Sequence, residues 1–170
     1  TVNVSLDGDE KTHDLQRGKN GLWKKTIAGL QLLAKVGFCN LVTNSTITNV
    51  NHTKLTDIAV ISSECGAGIS AFHPFEIATG SNLEALKLTD LVTSIQSLVE
   101  AYHRDERLKH VVLEFEASNA GVFFCLFELG LFQNWKLIED NAGFLFLVNR
   151  KGNRQFLVSL MFYPHHFIRT

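Results

Sequence analysis

The stretch LTDLVTSIQSLVEAYHRDERLKHVVLEFE, residues 88–116, decides the fold class. Leu88, Leu91, Val92, Ile95, Leu98, Val99 and Tyr102 recur at helical spacing, so the pattern predicts one amphipathic helix over 88–103, with Thr89 as a possible cap. The charged connector HRDERLKH follows, and VVLEFE at 111–116 then reads as a strand. The same unit recurs upstream. TVNVSLD, residues 1–7, alternates Val2, Val4 and Leu6 against Asn3, Ser5 and Asp7 and predicts a strand. Residues 8–21 are polar and glycine-containing and read as a long loop. LWKKTIAGLQLLAKV, residues 22–36, spaces Trp23, Ile27, Leu30, Leu33 and Ala34 as a helix that Gly37 stops. FCNLVTNSTI, residues 38–47, predicts a second strand. Residues 54–64 predict a helix capped by Asn51 or Thr53 and ended by Gly66. Residues 68–77 predict a third strand. Strands and helices alternating at about thirty-residue spacing imply right-handed βαβ units and a parallel sheet, an α/β fold.

After Ser118 the character changes. GVFFCLFELGLF, residues 121–132, suits a buried helix or a strand equally by periodicity. Residues 143–149 and 155–163 flank Gly152-Asn153 and predict a β-hairpin. A boundary near 103–110 divides the chain into residues 1–103 and a small α/β appendage, 104–170.

The 170 residues are 45% hydrophobic and 19% charged, a globular composition with room for a core. A net charge of -1 excludes the basic face of a nucleic-acid binder. No apolar run has the length of a membrane span, and no signal peptide is visible. Cys39, Cys65 and Cys125 form no CxxC or CxxxCxxC, which reads as three reduced thiols in a cytoplasmic protein with no metal site. Without a secretory signal, the N-x-S/T triplets at Asn3, Asn44 and Asn51 are chance matches. The chain opens on Thr1 rather than Met and runs straight into a strand, the look of a fragment or a processed chain.

In a parallel sheet, ligands bind at the carboxyl ends of the strands. Those ends are polar here: Ser5, Asp7 and Gly8, then Thr43 to Thr46, then His73, Pro74, Phe75 and Glu76. A packed barrel interior favours Val, Ile and Leu, so Asn3, Ser5 and Asp7 on one face suggest either a lumen that meets a polar ligand or a wet edge strand. His73 and Glu76, at a strand end, are candidates to bind substrate. Gly66 to Ala71 spells GxGxxA, but it follows a helix and enters a strand, the reverse of the dinucleotide-binding context. His13-Asp14 reads as a loop-stabilising pair, and His165-His166 as surface residues.

VSLDG at Val4–Gly8 followed by HDLQRG at His13–Gly18 resembles the SLDG…HDxxRG segment of radical S-adenosylmethionine enzymes. The helix GLWKKTIAGLQLLAKVGF, the segment TNSTITNVNHTKLTDIAVISSECGA and the strand FHPFEIATGSN are similar to the segments that follow it in that family, over residues 2–103. NAGFLFLVNRKGNRQFLVSLMFYP, residues 141–164, resembles the hairpin after the barrel in tetrapyrrole- and peptide-modifying members, the twitch and SPASM-like subgroup. Where relatives place cysteines for an auxiliary cluster, Asn141 and Val158 stand, so no auxiliary cluster is expected.

The resemblance implies the second half of a partial (βα)6 barrel, TIM-like, with the appendage attached. It implies S-adenosylmethionine and a [4Fe–4S] cluster in the full enzyme, and hydrogen abstraction by a 5′-deoxyadenosyl radical from a tetrapyrrole or peptide substrate. The CxxxCxxC loop of the family has no counterpart here, and three scattered cysteines do not replace thiolates converging on one cluster. The implied partner is therefore the missing N-terminal half of the barrel, and this chain alone is expected to be inactive. By resemblance Ser5 faces the ribose of S-adenosylmethionine, and Asp7 shares that face. Arg17 meets the methionyl carboxylate, and Asn44 and the backbone around Phe75 border the adenosyl group. The bland alternative has Asp7 fixing the Gly8 turn and Arg17 pairing with Asp14. The alternative function is a non-catalytic half-barrel scaffold or a different α/β binding module.

Overall fold

A computed structural model describes residues 1–38, 40–75 and 86–116, together with the backbone of three strands at 135–139, 145–149 and 154–159. Four strands, β1 (Val2–Ser5), β2 (Leu41–Ile47), β3 (Ile69–Pro74) and β4 (Val112–Glu116), lie side by side in chain order, all parallel. Four helices connect them: α1 (Glu10–Arg17), α2 (Leu22–Lys35), α3 (Leu55–Glu64) and α4 (Leu88–Arg104). The alternating α/β pattern read from the sequence is therefore present. The predicted hairpin forms as β6 (Leu145–Asn149) against β7 (Arg154–Ser159), with β5 (Trp135–Glu139) outside it. β7 lies parallel to β4, which makes one seven-stranded sheet ordered β1-β2-β3-β4-β7-β6-β5. The apolar run 121–132 falls outside the described residues.

The helices α2, α3 and α4 all cover the same face of the parallel strands. Leu30 of α2 packs with Leu41, Cys65 and Ala67, flanked by Val2 and Val4. Ile58 and Ala59 of α3 and Ile95, Leu98 and Val99 of α4 pack on Ile47, Phe72, Leu113 and Phe115. Strand side chains alternate between faces, so Val2, Val4, Leu41, Ile47, Phe72, Leu113 and Phe115 form one apolar surface. Within that surface a hydroxyl group of contacts is fully buried. Thr43 Oγ1 lies 2.7 Å from Ser62 Oγ, whose own proton goes to the Ile58 carbonyl at 2.8 Å. Each polar atom has a partner, as burial requires.

Three local expectations are corrected. Residues 8–21 are not a long loop, because α1 occupies their middle. Asp9 caps it by accepting the Thr12 N–H at 2.8 Å, and Gly18 ends it at φ +66, with its own N–H on Leu15 and the Lys19 N–H on Asp14. Neither Asn51 nor Thr53 caps α3. A 3-10 turn at His52–Lys54 precedes that helix, and the Asn51 side chain is used elsewhere. Thr89 lies inside α4, whose N-cap is Lys87. Gly66 does end α3, and the GxGxxA letters run from that helix end into β3, as their context indicated.

Candidate functional site

The face of the parallel sheet opposite the helices carries the alternate set of side chains. Asn3 and Ser5 of β1 are exposed there, and Asn44 of β2, His73 of β3 and Glu114 of β4 are half-buried. Backbone register puts Ser5 beside Asn44, Asn44 beside Ala71, and Ala71 beside Glu114, so one row crosses all four strands. His73 stands one row further toward the strand ends, paired with Thr46, and its Nε2 lies 3.4 Å from Asn44 Oδ1. Adjacent strands are about 4.8 Å apart. Ala71, between Asn44 and Glu114 in this row, is buried.

The alternation that was to put Asp7 on this face stops at Ser5, where β1 ends. Asp7 is 0% exposed and turned into a polar hub at the ends of β1 and β2. Arg17 Nε donates to its Oδ2 at 2.5 Å, and the Thr46 backbone N–H donates to Oδ1 at 3.1 Å. Arg17 therefore pairs with Asp7, not with Asp14, and its side chain remains 33% exposed. His13 is also buried, and its Nδ1 accepts the Asp7 N–H at 3.2 Å. The ring proton accordingly sits on Nε2, which has no partner among the described residues. Burial pushes the His13 pKa below its ordinary 6.5, against the pull of the Asp7 carboxylate.

His13 and Asp14 are neighbours in α1 with separate tasks, so they are not a pair. Asp14 accepts from the Trp23 N–H at 2.8 Å and the Gly21 N–H at 2.5 Å, an anion at the start of α2. Those two amides hold its carboxyl below the ordinary carboxylate range.

Asn51 locks the hub. It is 0% exposed, and its Nδ2 donates to the carbonyls of Asp7, at 3.1 Å, and Thr46, at 2.9 Å. Its Oδ1 accepts the Thr48 N–H at 2.8 Å. Gln16 of α1 adds a second donor to the Thr46 carbonyl at 2.9 Å. The spacing of the β1 and β2 ends, next to Ser5 and Thr46, is thus fixed by side chains beyond the last ladder bond.

Of the sequence candidates, Ser5, Asn44 and His73 come together on the open face. Asp7 and Arg17 come together in the hub behind it. Phe75 follows β3, with its N–H on the Ile47 carbonyl. Glu76, His165 and His166 lie outside the described residues. Sequence reading missed Glu114, which sat inside a strand rather than at its end; alternation within VLEFE was the available signal. It also missed Asn51, which was read as a helix cap.

The described residues do not suit an iron–sulfur cluster. They contain no group of three His, Cys, Asp or Glu able to hold a metal ion. Cys65 is a free thiol buried in the helix-side core, where burial raises its pKa. Hydroxyl, amide, imidazole and carboxylate groups share this sheet face, with a guanidinium at the strand ends, all of them groups that hydrogen-bond polar organic molecules. Among the described residues, no helix is long and apolar enough to cross a membrane.

No family model matches the chain. Over 75 residues it is 35% identical to an AdoMet-dependent heme synthase of Methanosarcina barkeri. That stretch is 44% of this chain and 21% of the archaeal protein, so the chain spans about a fifth of the curated relative it matches.

Proposed function

We propose that this chain is the part of a radical S-adenosylmethionine enzyme that presents the S-adenosylmethionine-facing strand ends, its open sheet face being the second half of a partial barrel's lumen. One observation carries the reading: Ser5 and Asn44 stand in register on the sheet face that no described helix covers. The similarity to a protein named for its AdoMet dependence supports it.

In this reading the Ser5 hydroxyl donates to and accepts from the ribose hydroxyls. Asn44, whose Oδ1 faces His73 Nε2, turns its amide nitrogen to the adenosyl group. Asp7 holds Arg17 by Nε, so the terminal guanidinium nitrogens are left for the methionyl carboxylate. His73 and Glu76 border the substrate. When bound in this family, S-adenosylmethionine supplies the 5′-deoxyadenosyl radical through a [4Fe–4S] cluster. The described residues offer that cluster no ligand set, so a partner segment carrying it, the other half of the barrel, belongs to the proposal. That segment would add to the outer edge of β1, where, among the described residues, the four-residue strand pairs on one side alone. The relative's name favours a tetrapyrrole over a peptide as the substrate.

The test is calorimetric titration of the full chain with S-adenosylmethionine and with S-adenosylhomocysteine. Saturable binding is expected, weakened about three- to tenfold in Ser5→Ala, the value of one neutral hydrogen bond. Folded chain that binds neither compound overturns the reading and leaves a non-catalytic scaffold in its place.

A further inference from the structure

A second cleft lies in the helix layer, on the far side of the sheet from Ser5 and Asn44. It encloses about 200 Å³ between the 3-10 turn at His52–Lys54, the start of α3 and the first half of α4. Leu55 lies in it, and polar groups of His52, Thr56, Asp90, Thr93, Ser94 and Ser97 line it.

The protons of this wall can be counted. Thr93 Oγ1 donates to the Thr89 carbonyl at 2.9 Å, Ser94 Oγ to the Asp90 carbonyl at 2.7 Å, and Ser97 Oγ to the Thr93 carbonyl at 2.9 Å. A hydroxyl has one proton, so these three present only lone pairs to anything else. Ser94 Oγ also lies 3.0 Å from His52 Nδ1. When the serine proton is on the Asp90 carbonyl, the imidazole is the donor there. Its proton is therefore on Nδ1, and Nε2 is left as an acceptor. Asp90 adds a half-buried carboxylate that makes no salt bridge among the described residues, and the lining contains no Lys or Arg.

A wall rich in acceptors with one negative charge has a definite complement: a cation with several N–H donors. A metal ion is disfavoured, since no three strong ligands converge among the described residues. The positive ends of α3 and α4 are offset by acidic residues in their first turns, Asp57 and Asp90. We propose that this cleft is a binding site for a primary ammonium group, with Asp90 as its counter-ion and Ser94, Ser97 and His52 Nε2 as hydrogen-bond acceptors.

The ammonium can belong to a small amine or to a lysine side chain, and two probes separate these. The full chain is titrated with 1,4-diaminobutane and with N-acetyl-lysine amide, while the side-chain signals of His52 are followed by NMR. Saturable shifts with either probe are expected. Equal affinity for both assigns the site to a protein lysine, and binding of the diamine alone assigns it to a free amine. Asp90→Asn should weaken binding at least tenfold, and Ser97→Ala about three- to fivefold, with the far-UV circular dichroism unchanged. Should Asp90→Asn disturb the fold, Ser97→Ala still decides, because that position is exposed. Shifts that saturate with inorganic phosphate instead, or amine binding indifferent to both substitutions, overturn the proposal.

Discussion

Replacing Asn51 with alanine should cost about 3 kcal/mol, because it orphans two buried backbone groups at about 1–3 kcal/mol each. The Asp7 carbonyl loses its Nδ2–H donor, and the Thr48 N–H loses its Oδ1 acceptor. The Thr46 carbonyl is spared, since Gln16 Nε2 still reaches it. In a chain of this size such a loss lowers the midpoint of thermal unfolding by about 6–12 °C. Urea unfolding followed by circular dichroism measures it directly, and the m-value should not change.

Asn51→Asp separates hydrogen bonding from packing. It keeps the volume and the acceptor for Thr48, but at neutral pH it sets a carboxylate oxygen against two carbonyls. It should then be at least as damaging as alanine. Below the aspartate pKa the carboxyl regains a proton and can donate to one carbonyl, so its deficit relative to Asn51→Ala should shrink in acid. The shared acceptor gives a further check. Gln16→Ala alone should cost under about 1 kcal/mol, but in the Asn51→Ala background it strips the last donor from Thr46. The cycle should show coupling of about 1 kcal/mol or more. A loss below about 1 kcal/mol for Asn51→Ala, or an aspartate variant as stable as the parent at pH 7, would refute the clamp.

His13 makes stability depend on pH in a stated direction. Its folded pKa is depressed, so the unfolded chain binds the proton first as pH falls below 6.5. Stability is full above that value and declines as pH falls toward the folded pKa. Urea midpoints between pH 7.5 and 5 should show this slope, and His13→Gln should flatten it; equal slopes count against a buried neutral imidazole. Gly66 and Gly18 both have positive φ, but a Cβ at Gly66 would stand 2.7 Å from Ala34 Cβ, while at Gly18 it meets nothing within 4 Å. Gly18→Ala should therefore cost about 1 kcal/mol from backbone strain, and Gly66→Ala about 1–3 kcal/mol more from overpacking, with thermal midpoints as the measure.

The parallel strands and three of the four helices were legible because each buries an apolar stripe against one surface. Helix α1 was not. EKTHDLQR has one large apolar residue, Leu15, and that side chain is 66% exposed. Its buried positions are Thr12, His13 and Asp14, so hydrophobic periodicity is silent there. Only the caps, Asp9 three residues before Thr12 and then Gly18, announce it. The hub failed to show for a related reason. Asp7, Arg17, Thr46 and Asn51 are separated by up to 44 residues in the chain, and a carboxylate gives no sign of which cation will find it. Arg17 was nearer in sequence to Asp14, but Asp14 was needed by the amides at the start of α2.

Among the described residues, the helices cover one face of the parallel strands, and the other face carries side chains of a different kind. A sheet wrapped by helices on both faces needs apolar side chains on both, and its buried strands read as continuous apolar runs. Here β1 reads VNVS and β2 reads LVTNSTI. A neutral polar group buried on this face without a partner would cost about 1–3 kcal/mol, and a carboxylate more. The open face is therefore stable only against water, polar protein groups or a polar ligand. Its row of hydrogen-bonding side chains is held in register by the ladder and fixed at its end by Asn51. The fully buried Asn51 thus fixes the backbone just beyond the end of β1, two residues past Ser5.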